Sequence, residues 1–168
     1  MKLKKRVPIL FYLAILGVIL LQSCIKGTDF EEDEQNQINE YLIANNITIE
    51  PKESGLYYIE NQAGNGVYPE YGDSATINYI GKRLTGYVFD TNIEDVAKEF
   101  NIWDIYAEYK PYTFLVGDSN LIGGLSEGVT YMSVGANANI LLPSKLAFLD
   151  YTPVVFNIDL LSIKKAGE

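Results

Sequence analysis

The sequence contains no histidine and only one cysteine among its 168 residues. Without histidine, the chain lacks the usual general base near neutral pH, the commonest zinc ligand and any Ser-His-Asp triad. A single cysteine cannot form an internal disulfide, and it leaves no thiolate cluster for a metal. We therefore expect neither a metal nor a cofactor, and we look for a reaction that needs neither.

Positive charge is also scarce. The chain has 13 Lys and Arg residues against 22 Asp and Glu residues, for a formal net charge of −9. Four of the basic residues lie within the first six positions, so the remainder is more acidic still. An acidic surface disfavours nucleic acids and anionic lipid headgroups as partners. We expect no nucleic-acid partner.

The N-terminus has the pattern of an export signal. Four basic residues precede an apolar run from Val7 to Leu21, which is shorter than the roughly 20 residues of a membrane span. The segment Leu21–Cys24 that follows resembles a bacterial lipobox. We predict a lipoprotein signal peptide over 1–23 and lipidation of Cys24, with an uncleaved N-terminal anchor as the alternative. Either reading places the rest of the chain outside the cytoplasm, tethered to a membrane. With the lipid anchor we expect a bacterial cell-envelope protein on the outer membrane, its face undetermined, that contacts the membrane only through this anchor.

An acidic segment separates the signal from the compact part of the chain. We predict a tether over 24–53 that contains a short helix from Glu34 to Asn45, and one domain over 54–168. Within the domain, most apolar residues alternate as in half-buried strands, most clearly from Ser74 to Leu84. In the stretch from Tyr112 to Met132, a strand is followed by apolar residues at helical spacing. These patterns predict an α+β fold with a curved antiparallel sheet of about five strands wrapped around one short amphipathic helix.

The order of the motifs resembles the FKBP-type peptidyl-prolyl cis-trans isomerases. Seven pieces occur in the family's order: Ser54-Gly55-Leu56, Gly72–Gly81, Gly86–Asp90, Pro111–Gly117, Leu121–Gly128, Pro143–Phe148 and Val155–Leu161. The resemblance covers Ser54 to Ile163. It implies the family's fold and its isomerase activity on proline-containing unfolded or exported polypeptides. We expect the protein to be a monomer. Rotation about a peptide bond to proline needs no acid, base or metal, so the activity fits a chain rich in tyrosine and without histidine.

The resemblance also assigns a pocket residue by residue. The implied catalytic residues are Tyr79, Phe89, Asp90, Ile122, Phe148 and Phe156. The implied substrate-binding residues are Tyr112, Leu121 and Leu125. In this assignment Asp90 accepts hydrogen bonds in the wall, the backbone N–H of Ile122 meets a substrate carbonyl, and Leu125 forms the floor.

The sequence departs from the family pattern around this pocket. Leu125 replaces the usual tryptophan of the floor, and Phe148 replaces a loop tyrosine whose hydroxyl bonds the substrate. The loop after Phe148 is shorter than usual, whereas an insertion at about 92–110 lengthens the segment before Pro111. The insertion could cover the pocket, replace the shortened loop or bind a partner.

Three functions remain open at this point. The first is a membrane-anchored prolyl isomerase that assists the folding of exported proteins. The second is a non-catalytic lipoprotein of the same fold, which holds a partner peptide with its pocket or with the insertion that carries Trp103. The third is a glycan-binding or glycan-cleaving lipoprotein, since aromatic rings stack on sugars and paired carboxylates cleave glycosides. Asp90 has no obvious carboxylate partner in the sequence, which disfavours the third.

Overall fold

The structure is a computed structural model that describes residues 30–118 and 121–167. The predicted signal peptide and Cys24 lie outside the described residues. Within these residues the fold consists of three α-helices, six strands and one short 3-10 helix, Ser144–Leu146. The helices are α1 (Phe30–Ala44), α2 (Glu94–Glu99) and α3 (Gly123–Thr130). The strands are β1 (Tyr57–Gln62), β2 (Ser74–Arg83), β3 (Val88–Thr91), β4 (Tyr112–Leu115), β5 (Asn137–Leu142) and β6 (Val154–Lys164).

All six strands form one antiparallel sheet, in agreement with the predicted fold class. Five of them follow the order β1-β5-β6-β2-β3, and β4 lies off this path. Strand β2 divides one of its edges between two partners: Ser74 to Ile77 pair with β4, whereas Ile80 to Lys82 pair with β3. Its other edge pairs with β6 along its whole length. The long alternating pattern of β2 therefore identifies the strand that joins the two halves of the sheet.

Helix α3 packs on one face of the sheet and fills the main core. Leu125 and Val129 of the helix are buried with Ile77, Ile140 and Ile158 of the strands. The helix lies close to β5 because it carries glycine where other residues would collide. A Cβ atom on Gly128 would overlap the side chain of Ile140. This close contact fixes the height of the helix above the sheet.

Helix α1 covers the opposite face of the sheet. Leu141 alternates with its two neighbours in β5, so it points away from α3, and it is buried together with Ile38, Tyr57 and Val155. The predicted helix is thus present, but it begins at Phe30 rather than at Glu34. Residues 30–44 of the acidic segment therefore pack against the domain.

The insertion is a short helix followed by an ordered loop. Helix α2 buries Ala97 completely, while Phe100 and Trp103 remain 45% exposed and Tyr106 remains 92% exposed. The loop is held by its own bonds: Tyr106 N–H donates to Asp104 Oδ1 at 2.9 Å. Over residues 30–118 and 121–167, no helix is long and apolar enough to cross a bilayer.

Candidate functional site

All nine residues that the resemblance assigned to a pocket line one cavity of about 300 Å³. The cavity opens on the α3 side of the sheet, where the ends of several elements meet. Its lining consists of Tyr79, Phe89, Asp90, Tyr112, Leu121, Ile122, Leu125, Phe148 and Phe156. The fold thus brings the assigned residues together from four strands, the start of α3 and one loop. Their individual roles stay predictions.

Aromatic rings form the inner wall of this cavity, which we call the aromatic pocket. Phe89 meets Phe148 edge-on at 5.7 Å between ring centroids, and it meets Phe156 in the same way at 5.9 Å. Tyr79 lies 6.3 Å from Phe156. Edge-to-face pairs add roughly 0.5–1.5 kcal/mol each beyond the burial of their surface. The wall is therefore apolar and held by ring-to-ring contacts.

Gly81 makes room for these rings on β2. A Cβ atom at this position would lie 2.9 Å from the ring of Phe89 and 3.0 Å from that of Phe156. Because real Cβ atoms require more space, any other residue would push one of the two rings away. A glycine inside a long strand often marks a close approach of this kind. That signal could have assigned Gly81 to the site, which the sequence analysis did not do.

The rim of the aromatic pocket carries a hydrogen-bonded tyrosine and aspartate. Tyr79 Oη donates to Asp90 Oδ2 at 2.9 Å. Burial raises the pKa of Tyr79 well above its usual range, and the neighbouring Asp90 carboxylate raises the pKa further. The hydroxyl therefore stays protonated at physiological pH and remains a donor. This bond orients Asp90, whose side chain is exposed, at the position in the pocket lining that the resemblance assigned to it.

Ile122 and Leu125 close the pocket from the side of the helix. Ile122 immediately precedes α3, and its carbonyl accepts hydrogen bonds from the N–H groups of Leu125 at 3.0 Å and Ser126 at 3.2 Å. Leu125 is only 4% exposed and forms part of both the floor and the core. The start of α3 therefore places both residues, and a leucine floor leaves more room than a tryptophan would.

Arg83 supports the pocket from outside, and no pattern in the sequence indicates this role. Its guanidinium lies 5.4 Å from the ring centroid of Phe89 and 6.0 Å from that of Phe148. It also lies 3.6 Å from the carboxylate of Asp150, in the loop after Phe148. A guanidinium over an aromatic face is attracted by the ring. Arg83 therefore joins β2 to the loop that presents Phe148.

The insertion stands beside the aromatic pocket and does not cover it. None of its described residues lines the pocket. Instead, residues 107–110 line a second cavity of about 560 Å³, which shares Tyr79, Asp90 and Tyr112 with the first. This lining disagrees with the alternative in which the insertion covers the pocket.

Among residues 30–118 and 121–167, no three Asp, Glu, His or Cys side chains come together as a metal site requires.

Comparison with known proteins places the chain in a family. Residues 66–161 match the family model described as FKBP-type peptidyl-prolyl cis-trans isomerase. The chain belongs to this family. It is 30% identical over 143 residues to the FKBP-type isomerase FkpA of Aeromonas hydrophila, a match that covers 79% of this chain and 48% of that protein. It is 31% identical over 121 residues to the isomerase Mip of Coxiella burnetii, which covers 67% of this chain and 46% of Mip.

Solved structures give the same fold. The crystal structure of a peptidyl-prolyl isomerase from Pseudomonas syringae superposes with a TM-score of 0.59 at 19% identity, covering 80% of this chain and 96% of that one. At this level of identity the likeness concerns the fold alone. The chain spans less than half the length of the curated relatives named above.

Proposed function

We propose that the chain catalyses cis-trans isomerisation of peptide bonds that precede proline in polypeptides. The observation that carries the proposal is the aromatic pocket, which the nine assigned residues line together. Membership of the FKBP-type family supports the same activity. The reaction has to overcome a barrier of about 18–20 kcal/mol that arises from amide resonance. It needs no acid, base, metal or nucleophile.

In the proposed mechanism, the proline ring enters the aromatic pocket and the rest of the peptide remains at the surface. Contacts with Phe89 and Phe156 hold the ring while the preceding amide rotates. The twisted amide has lost its resonance, so an apolar wall that fits it better than the planar form lowers the barrier. The N–H group of Ile122, at the positive end of α3, would donate to a substrate carbonyl. Asp90, held by Tyr79, would accept hydrogen bonds from N–H groups of the neighbouring residues of the substrate, because the peptide bond to proline has no N–H of its own.

The activity is tested with the full chain in mild detergent and a protease-free assay of a proline-containing peptide. We expect acceleration over buffer at micromolar protein. Phe89→Leu should reduce kcat/KM roughly tenfold, since it removes two edge-to-face contacts from the wall. Phe100→Leu is the matched control, because Phe100 lies on the insertion and lines neither cavity. Rates equal to buffer would reject the isomerase proposal.

A second candidate is a non-catalytic protein that binds proline segments. Two observations favour it: Phe148 has no hydroxyl to offer a substrate, and Leu125 is a smaller floor than tryptophan would be. Binding of a proline peptide without acceleration of its isomerisation would support this candidate. Trp103, on the insertion, is 45% exposed and gives no specific support to partner binding by itself.

We also propose that the protein acts on exported polypeptides in a bacterial envelope, anchored through a lipid on Cys24. The support is the leader pattern of residues 1–24. The matching proposal for the domains is a signal peptide over 1–23, an acidic segment over 24–53 and the isomerase domain over 54–168. Incorporation of a labelled fatty acid in the producing bacterium tests the anchor: Cys24→Ala should abolish labelling. Labelling that persists in this variant would reject it.

A further inference from the structure

A second cavity adjoins the aromatic pocket, and nothing so far assigns it a ligand. It has a volume of about 560 Å³ and shares Tyr79, Asp90 and Tyr112 with the pocket. The rings of Tyr79 and Tyr112 lie edge to face with their centroids 6.4 Å apart. The two cavities are thus separated by a single layer of side chains. A polypeptide that occupies one of them passes the mouth of the other.

The second cavity is built on a rigid base. The strand partner of β2 changes from β4 to β3 between Ile77 and Ile80. At this place the side-chain amide of Asn92 makes hydrogen bonds to the main chain that a strand would otherwise make. Its Nδ2 donates to Ile77 O at 3.0 Å and to Lys110 O at 2.9 Å, and its Oδ1 accepts from Tyr79 N–H at 2.8 Å. One buried side chain therefore ties both ends of the insertion to β2. The wall that the insertion contributes is held in place before any ligand arrives.

The lining of the cavity favours a cation. Besides the shared residues it includes Glu108, Tyr109 and Lys110. The only cationic side chain among its described lining residues, Lys110, already forms an ion pair with Glu108. The lining thus carries two carboxylates, on Asp90 and Glu108, and one ammonium group, and three tyrosines also belong to it. Carboxylates and aromatic faces together attract lysine and arginine side chains and disfavour acidic ones.

We propose that this cavity is a subsite for a lysine or arginine that flanks the proline in the polypeptide. The proposal rests on the proposed function, because it needs the proline in the aromatic pocket. An extended chain advances about 3.3–3.6 Å per residue, so a residue about two or three positions from the proline can cross the shared wall. The subsite makes the protein selective for basic proline segments, in keeping with its overall acidity.

The test compares three peptides that contain one proline and differ only at the positions two residues away from it. These positions carry lysine in the first peptide, alanine in the second and glutamate in the third. Binding to the full chain in detergent is measured by fluorescence anisotropy of labelled peptides, and kcat/KM is measured on the same series. At low salt we expect the lysine peptide to be preferred over the alanine peptide by about two- to fivefold, the range of an exposed ion pair. High salt should reduce this preference.

Two matched variants locate the preference. Glu108→Gln removes one carboxylate from the second cavity, so it should abolish the preference for lysine. Glu99→Gln removes one exposed carboxylate elsewhere on the insertion and should leave the preference unchanged. Equal binding of all three peptides, or a preference that Glu108→Gln does not alter, would overturn the subsite. If the peptides bind with the expected preference but none is isomerised, the subsite stands and the isomerase proposal fails. If all three peptides are isomerised equally, the isomerase proposal stands and the subsite fails.

Discussion

Replacing Glu34 with alanine is expected to destabilise the protein strongly, although Glu34 lies in an acidic helix far from the pocket. Its carboxylate accepts two hydrogen bonds from Ser144, one from the backbone N–H and one from Oγ at 2.9 Å. Both residues are buried, with Glu34 8% and Ser144 4% exposed. The contact joins α1 to the loop that leads to Phe148.

The magnitude follows from the groups that the substitution leaves behind. Hydrogen bonds to a charged acceptor contribute about 1.5–3 kcal/mol each, and a buried donor without a partner keeps its full desolvation cost. The N–H of Ser144 cannot turn elsewhere, whereas its hydroxyl can rotate toward another acceptor. We therefore expect Glu34→Ala to lower the free energy of unfolding by about 2–4 kcal/mol. Glu34→Gln keeps an acceptor oxygen and should cost about half as much.

The assay is equilibrium unfolding in urea, followed by tyrosine and tryptophan fluorescence. Glu32→Ala is the matched control, because Glu32 lies in the first turn of α1, two residues before Glu34, and is exposed. The control should change the free energy of unfolding by less than about 0.5 kcal/mol. A Glu34→Ala variant as stable as the control would refute the claim that this carboxylate holds α1 to the domain.

The same substitution should also affect substrate binding in the aromatic pocket. The carbonyl of Ser144 accepts hydrogen bonds from the N–H groups of Ala147 and Leu149, which flank Phe148. A loosened Ser144 therefore loosens the loop that presents the Phe148 ring. We expect Glu34→Ala to raise KM for proline peptides more than it changes kcat, since the loop contributes binding surface. Unchanged KM in a folded variant would show that α1 does not position the pocket.

Three further predictions test single contacts. The pocket lacks a hydroxyl that could bond to the substrate, and such a hydrogen bond contributes about 1 kcal/mol. If this lack limits the activity, Phe148→Tyr should raise kcat/KM up to about fivefold in the protease-free assay. An unchanged kcat/KM would exclude that explanation. Asn92→Ala should lower the free energy of unfolding in urea by about 2–4 kcal/mol, because three main-chain groups lose a partner, and a loss under 1 kcal/mol would contradict this. The pKa of Asp73 is held at about 2 by hydrogen bonds from the backbone N–H of Glu70, from Lys165 and from the N–H of Ala166. The stabilisation that Asp73 contributes is therefore complete above about pH 4 and is lost as the pH falls toward 2. Asp73→Asn should make the free energy of unfolding depend less on pH over this range, and an unchanged slope would refute the prediction.

Local pattern was sufficient for most of the fold. The alternation in β2 predicted its bounds as Ser74 to Leu84, and the strand observed is Ser74–Arg83. The last strand, predicted from Val154 to Ile163, runs to Lys164. A strand with one buried face alternates apolar and polar residues, so its period of two can be seen in the sequence. The pocket residues needed more than periodicity, because a ring that faces a cavity alternates in the same way as a ring in the core. Their assignment came from the order of the family's motifs.

The supporting contacts could not be read from the sequence, since each joins positions that no local pattern connects. Glu34 lies in an acidic run that reads as a solvated helix face, yet it binds Ser144 across 110 positions of the chain. Arg83 reads as the polar end of a strand, yet it packs on two rings of the pocket. Asn92 reads as the start of a loop, yet it completes the edge of β2. Long-range partners of polar groups are determined by the folded geometry.

These contacts explain how a shortened loop can still present Phe148. Helix α1 holds the loop from one face of the sheet, through Glu34 and Ser144. Helix α3 confines it from the other face: a Cβ atom at Gly124 would lie 2.8 Å from the carbonyl oxygen of Leu146. Arg83 adds a third contact at the loop's far end, through Asp150. A longer loop would cover the pocket by its length alone, whereas this loop is held in position by α1 and α3 on the two faces of the sheet. The position of the Phe148 ring is therefore determined by residues distant from it in sequence.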